Sequence, residues 1–370
     1  MPELFQILTL LVLFQLFFIS FFLFFSKKKG SRLSNFLLAF FFLSLGSGLL
    51  DYYLLISGYF EVNTQYALFL NSLVILHAPL LLLYTQSLTT KNFRLKLIHL
   101  LHALPFLVAL LLLFLFYYNQ SPEMQKGVLE DVKRGKDLST ILISVFGFVY
   151  ELSYLLAIRV RIRNYREAIV QQFSNLDKIN LNWLNFLVNV FIISVLASTL
   201  GNILRHSQLV RLDQGAIILG LVGLLFFISS VLLKGLHQNE IFLGAQRGSP
   251  NNVPSSEENK SLLNKLNIHI RDNKPYLNAE LTLNDLASQL EVSARQLSTL
   301  INAELGKSFF DLINTYRIEE AKRILRESKD SKLTVLEVMY EVGFNSKSSF
   351  NTAFKKYTGS TPTAYKARFS

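Results

Sequence analysis

Residues 281–325 read LTLNDLASQLEVSARQLSTLINAELGKSFFDLINTYRIEEAKRIL. Leu283, Leu286, Ala287 and Leu290 share one face at helical spacing, and Glu291-Val292-Ser293 interrupts the run. Ser293 can cap a second helix whose inner face is Leu297, Leu300 and Ile301. A short helix, a tight turn and a second helix make the pattern of a helix-turn-helix. A longer amphipathic stretch follows from Phe309 to Leu325, with Leu312, Ile313, Tyr316, Ile318, Ala321 and Leu325 apolar.

Beyond that stretch the pattern recurs. Val335, Val338, Met339 and Val342 form another short inner face, Gly343 supplies the turn, and Ser346 can cap a helix with Phe350 and Phe354 inward. Two such units joined by a connecting helix suit a monomer touching two successive major grooves, about 34 Å apart. Opposite Leu297, Leu300 and Ile301 lie Arg295, Ser298, Thr299 and Asn302. Opposite Phe350 and Phe354 lie Ser348, Thr352 and Lys355, flanked by Lys347, Ser349, Asn351 and Lys356. These are the groove-facing candidates on geometry alone. After Glu341 there is no acid, yet Lys347, Lys355, Lys356, Lys366 and Arg368 occur. A single lysine of this kind is usually just solvated; the acid-free run points instead to phosphate contact.

Together with VMYEVGFNSKSSFNTAFKKYTGSTPTAY at 338–365, the opening stretch resembles the DNA-binding domain of AraC-type bacterial transcription regulators. The likeness covers about the last hundred residues. Its second block is the specific one, with Gly343-Phe344, Ser346, Phe350, Phe354, Gly359, Thr361-Pro362 and Tyr365 all in place. The resemblance implies that Arg295, Ser298, Thr299, Lys347, Ser348 and Thr352 read bases. Family members often carry Arg where Thr352 and Thr299 stand. Thr cannot make a bidentate contact to guanine, which throws base discrimination onto Arg295 and Lys347. Met339 stands where Ala is usual, so a slightly looser second unit is expected. The soluble effector-binding domain of the best-known members is absent, and their ligand mechanism does not carry over.

Upstream, the composition changes. The chain of 370 residues is 51% hydrophobic with 32 Phe, and the apolar residues crowd into unbroken runs before position 235. A bilayer core needs roughly 20 apolar residues of helix, and Leu4–Phe25 supplies them. Met1-Pro2-Glu3 lacks the basic start of a signal peptide, and Lys27-Lys28-Lys29 follows in place of a cleavage site. Six further runs are Phe36–Ser57, Tyr66–Leu88, Leu97–Tyr118, Leu138–Ile158, Leu184–Leu204 and Gln214–Leu233. In lipid each backbone amide must be bonded within its own segment, so every run reads as a helix. With the N-terminus outside, the inner loops hold Lys27, Lys28, Lys29, Arg32, Lys91, Arg94, Lys96, Arg159, Arg161, Arg163, Arg166 and Lys178. The outer loops hold Lys126, Lys133, Lys136, Arg134, Arg205 and Arg211. That bias sets the orientation, and seven spans then put the C-terminal domain in the cytoplasm. About +8 of the net +11 lies before Gln238, beside the apolar runs, so net charge alone says little about nucleic acid.

Polar groups within the runs are costly and need a reason. Glu151 lies about 12 Å from the inner end of the fifth run, and Asn189 in the sixth lies at similar depth as its expected partner. Asn185 shares the face of Asn189. Glu151, Asn185 and Asn189 are either a polar sensing site for a ligand or proton, or a structural hydrogen bond between helices. Asp51, and His77 before Pro79, are read as structural. Asn119–Asp137 is read as a short polar outer connection. There is no Cys, which excludes disulfides, a Cys-ligated metal and a cysteine nucleophile. His237 and His269 have no metal-ligand partners nearby in sequence.

The expected architecture is therefore all-α: a seven-helix transmembrane domain over 1–237, a flexible linker over 238–260 and a double helix-turn-helix domain over 261–370. About 23 linker residues span on the order of 27 Å. The expected role is a bacterial inner-membrane regulator, not an enzyme and without a cofactor. Its expected partners are double-stranded promoter DNA, the lipid bilayer, RNA polymerase and an unidentified small-molecule or membrane signal. A homodimer would fit a tethered binder through effective concentration. The rivals are a transporter or membrane enzyme with an accessory DNA-binding tail, which would need paired charges, broken helices or repeats in its spans, and a passive DNA tether.

Overall fold

The computed structural model describes residues 3–25, 32–134, 138–177, 179–206, 221–226, 228–229, 256–327 and 333–369. Among these the fold is helical, with one isolated antiparallel bridge between Phe173 and Thr282. The chain divides into two compact units, Met1–Arg163 with Leu181–Gly244, and Asn164–Asn180 with Ala245–Ser370.

The first unit begins with α1 (Glu3–Phe25) and α2 (Arg32–Ser57). Small residues of α2 let other backbones come close: Ser20 donates to the Ala39 carbonyl at 3.0 Å, and Ser34 bonds Ser87 at 2.7 Å. The third apolar run is broken. Leu68 at φ +67 precedes a single turn, α3 (Phe69–Ser72), then a 3-10 turn over Leu73–Leu76 and α4 (His77–Thr89). Buried Asp51 faces the amides of Asn71, Leu68 and Leu70 at this break. The fourth run is also composite: a 3-10 stretch over Leu97–Ala103, α5 (Leu104–Leu113) and a π-turn over Phe114–Tyr118.

The connection after it differs from the sequence expectation, because it contains a helix, α6 (Pro122–Arg134). Leu129 is buried with Phe60, Ala67, Leu55 and Tyr117, and Gln125 donates to the carbonyls of Tyr117 and Gln120. Only one face is apolar, so the composition reads as polar overall while the helix has a core to cover. Next come α7 (Leu138–Val170) and α8 (Asn182–His206).

Among the described residues, five helical runs are long and apolar enough to cross a membrane: Glu3–Phe25, Arg32–Ser57, Thr64–Thr89, Leu97–Tyr118 and Leu142–Val170. The apolar part of α8, Asn182–Ala197, is shorter. Most of the expected seventh span, Gln214–Leu233, lies outside the described residues, as do His237 and linker positions 238–255.

In the second unit, α9 (Ser256–Asn273) starts inside the stretch read as linker. Then follow α10 (Leu283–Gln289), α11 (Ala294–Leu305), α12 (Phe309–Glu327), α13 (Val335–Glu341), α14 (Lys347–Thr358) and α15 (Pro362–Lys366). Their starts are fixed by side chains that satisfy free amides. Thr282, Ser293, Thr334, Ser346 and Thr361 accept from the amides of Asp285, Gln296, Glu337, Ser349 and Ala364. Gly306 and Gly359 end α11 and α14 in the left-handed region. Two cores result. Leu286, Leu297, Leu300, Ile301, Phe309 and Ile313 belong to one, and Ile318, Ala321, Val338, Met339, Phe350 and Phe354 to the other. Helix α12 contributes to both. Met339 is 1% exposed, so the larger side chain is accommodated within the packing.

On α12, Glu320 accepts from Arg323 and Lys274, each at 2.9 Å. The Arg323 bond comes first, and with Lys274 it outweighs burial and holds the carboxyl at about 2. A folded-state value depressed below the ordinary 4.5 gives stability that is present above 4.5 and lost as pH falls through about 2. Acid titration of the chain, followed by amide exchange over 309–327, should show protection falling across that window. Glu320→Gln should flatten the fall and lower protection at neutral pH; an unchanged profile would remove Glu320 from the acid response.

Candidate nucleic-acid interface

Burial of Leu297, Leu300 and Ile301 turns the opposite face of α11 outward. Arg295, Thr299 and Asn302 are exposed there and Ser298 is half-buried. Burial of Phe350 and Phe354 does the same for α14, exposing Lys347, Ser348, Thr352, Lys355 and Lys356. Among the described residues no carboxylate pairs with Arg295, Lys347 or Lys355.

Lys356 differs. Its Nζ lies 2.6 Å from Asp311 Oδ1, and Tyr357 Oη donates to the same carboxylate at 3.0 Å. Burial works against the Asp311 charge, but hydrogen bonds from Lys356, Ser308 and Tyr357 outweigh it and hold the carboxyl below its ordinary value. The Lys356 ammonium is correspondingly pushed up, first by Asp311. A tail that is acid-free in sequence thus has an acid beneath one of its lysines in space. Lys366 likewise donates to the Leu333 carbonyl at 2.6 Å.

Two features of this region had no sequence signal. Arg317 on α12 is 1% exposed and ties several strands of chain together. It donates to the carbonyls of Tyr276 at 2.7 Å, Asn278 at 2.8 Å and Ser174 at 3.1 Å, and to Ser174 Oγ at 3.1 Å. Its guanidinium also lies over the Phe344 ring at 5.6 Å. Burial lowers it to about 10, so it keeps its charge at neutral pH. The second feature is Gly343, whose φ of +86° brings it against backbone. A Cβ there would sit 2.7 Å from the Leu277 oxygen and 2.9 Å from that of Tyr276. The sequence identified Gly343 as a turn residue but gave no hint of that approach.

In the first unit, Glu151 and Asn189 have different partners from those expected. Glu151 lies 4.0 Å from His77 Nδ1, both side chains being largely buried. Asn189 accepts from Arg159, and Asn185 is half-buried nearby on α8. The reason is reach: the long side chain of Arg159 on α7 meets the Asn189 amide oxygen on α8, while His77 comes from α4, where the sequence offered no pairing signal. His269, in the second unit, bonds Gln289 at 2.8 Å, and no metal-ligand cluster occurs among the described residues.

A helix-turn-helix domain model matches residues 286–368. An uncharacterized HTH-type transcriptional regulator of Bacillus subtilis is 34% identical over 109 residues, 30% of this chain and 32% of that protein. One encoded in the cgkA 5' region of Pseudoalteromonas carrageenovora is 33% identical over 112 residues, 30% of this chain and 63% of that protein. The chain thus spans about a third of the first and under two thirds of the second. Among solved structures, the C-terminal domain of AraT, a response regulator from Geobacillus stearothermophilus, is 31% identical over 29% of this chain and 84% of that one, with a TM-score of 0.25. Capped helices, two cores and the match over their shared stretch lead to one statement: the C-terminal part of this chain, residues 286–368, is a helix-turn-helix domain of the AraC type.

Proposed function

We propose that the chain is a membrane-anchored, sequence-specific DNA-binding transcription regulator. The observation that carries this reading is the pair of outward faces on α11 and α14, with unpaired Arg295, Lys347 and Lys355. Each face is backed by its own core, and the two are joined by α12. In this reading α10–α11 and α13–α14 are two helix-turn-helix units that enter successive major grooves. Arg295, Ser298, Thr299, Asn302, Lys347, Ser348 and Thr352 face base edges, and Lys355 and Lys356 face phosphate, Lys356 after exchanging its Asp311 partner. The apolar helices supply the anchor in the inner membrane, with seven spans, the N-terminus outside and the DNA-binding domain in the cytoplasm. The domain limits are those read from sequence, 1–237, 238–260 and 261–370. Signal sensing by the membrane half, through Glu151, Asn185 and Asn189, belongs to the same proposal, with RNA polymerase and a second copy of the chain as partners.

The test is fluorescence anisotropy of labelled duplexes with the full chain in lipid nanodiscs. Affinity should fall steeply as salt rises. Lys347→Ala should weaken binding and Arg295→Ala should cost about 1–3 kcal/mol and relax preference at one base position. Binding that is indifferent to salt and to both substitutions would sink the reading.

A transporter-like role is favoured by one pair of observations, the break before α4 and the buried His77–Glu151 contact. Chromatin pull-down separates the two: sharp promoter peaks support the regulator, broad weak signal a passive tether, and no signal the transporter.

A further inference from the structure

The segment that joins α7 to α8 belongs to the same compact unit as α11 and α14. Its middle is fixed by backbone. The Leu283 amide donates to the Gln172 carbonyl at 2.9 Å, and the Ser174 amide donates to the Leu281 carbonyl at 3.3 Å. Ser174 Oγ donates to that same carbonyl at 2.6 Å, and two Arg317 nitrogens donate to Ser174. Docking of the segment therefore supplies acceptors to a buried cation, which a chance surface contact would not do.

Its two ends land on the candidate interface. Gln171 Oε1 accepts from Asn302 Nδ2 at 3.2 Å, on the outward face of α11. The Asp177 carboxylate accepts from Ser349 Oγ, in the first turn of α14 and beside Lys347 and Ser348. A helix start attracts an anion through its free amides and dipole, and it is also where a helix in the major groove meets a phosphate. Asp177 places a negative charge at that point. A duplex closing on α14 would bring phosphate against it, and closing on α11 would require the Gln171–Asn302 bond to break.

We propose that residues 171–177 form an intramolecular latch that lies across both groove-facing helices and is displaced when duplex DNA binds. The inference rests on the DNA-binding reading above and adds its regulation. The latch is flanked in sequence by α7 and α8, two of the apolar helices. Anything that changes the latch's freedom to undock therefore changes the affinity for DNA, by differential stabilisation of the docked and undocked states.

The test uses the full chain in nanodiscs. The double variant Gln171→Ala with Asp177→Ala removes only the side-chain contacts, leaving the backbone bonds of Gln172 and Ser174 and the Arg317 cluster in place. It should bind a labelled duplex about tenfold more tightly than the unaltered chain. Asp272→Ala removes the same charge outside the latch and should leave affinity unchanged. In hydrogen exchange, the amides of Ser174 and Leu283 should lose protection when duplex is added. Equal or weaker binding by the double variant, an equal gain from Asp272→Ala, or protection retained in the complex would each overturn the latch and make the segment a fixed part of the domain. In those cases a loss of affinity in Lys347→Ala still upholds DNA binding, so the two failures are distinct. If neither the unaltered chain nor the double variant binds duplex at low salt, both ideas fall.

Discussion

Arg317→Met is expected to cost the second unit on the order of 3 kcal/mol, because it orphans two buried acceptors at once and takes one of two donors from a third. The carbonyls of Tyr276 and Ser174 take their hydrogen bonds from this guanidinium, while that of Asn278 also accepts from the Leu281 amide. Each buried acceptor left without a partner costs about 1–3 kcal/mol. Methionine fills much of the volume and keeps the contact with Phe344, so packing alone does not predict a large loss. Arg317→Lys should not rescue the variant. A compact ammonium on a single stem cannot reach the acceptors that a planar fork reaches together. The measurement is urea-dependent pulse proteolysis of the second unit in the full chain. A midpoint unchanged within error would show that water replaces the guanidinium without penalty. Against a total stability of about 5–15 kcal/mol for a domain, the expected loss is a large fraction of the margin that keeps the unit folded.

Gly343→Ala should be comparably severe, for a different reason. Its φ of +86° disfavours any residue with a Cβ, and the added carbon would meet two backbone oxygens closer than 3.0 Å. Backbone cannot swing aside as a side-chain tip can, so the 276–277 turn or the α13–α14 turn must shift. A cost of about 3 kcal/mol or more is expected, combining left-handed strain with overpacking. Gly306→Ala is the built-in comparison. Gly306 has a similar φ of +61° but nothing within 4 Å of the added carbon, so only the conformational strain remains, about 1 kcal/mol. Equal losses at the two positions would mean that the close approach of Leu277 has no energetic weight.

These two residues also mark where the sequence could be read and where it could not. The inner faces of α11 and α14 and the caps Ser293 and Ser346 were legible, because periodicity and capping act within one helical turn. Thr334 and Thr361 cap by the same chemistry and were identifiable by the same rule, Thr334 with Glu337 three residues on. Arg317 could not be identified. It lies in an amphipathic pattern among other charged residues, and its partner Ser174 is 143 positions away. Contacts at that separation follow from how elements pack, which local spacing does not encode. The same limit explains why Glu151 meets His77 and why Asp311 sits under Lys356. It also explains α6. A segment rich in Glu, Lys and Gln reads as a connection until the apolar cap under Leu129 is known.

Helix α12 carries one more consequence. Both cores grip the same rod of 19 residues, Phe309 to Glu327, so their separation and angular offset are set by helical pitch. Adding one residue between Ile313 and Ile318 would turn one core against the other by about 100° and advance it about 1.5 Å. Drift in chain length within this stretch therefore breaks the fixed relation of the two cores. On the reading proposed above, a promoter must keep its two contact points in fixed phase around the double helix.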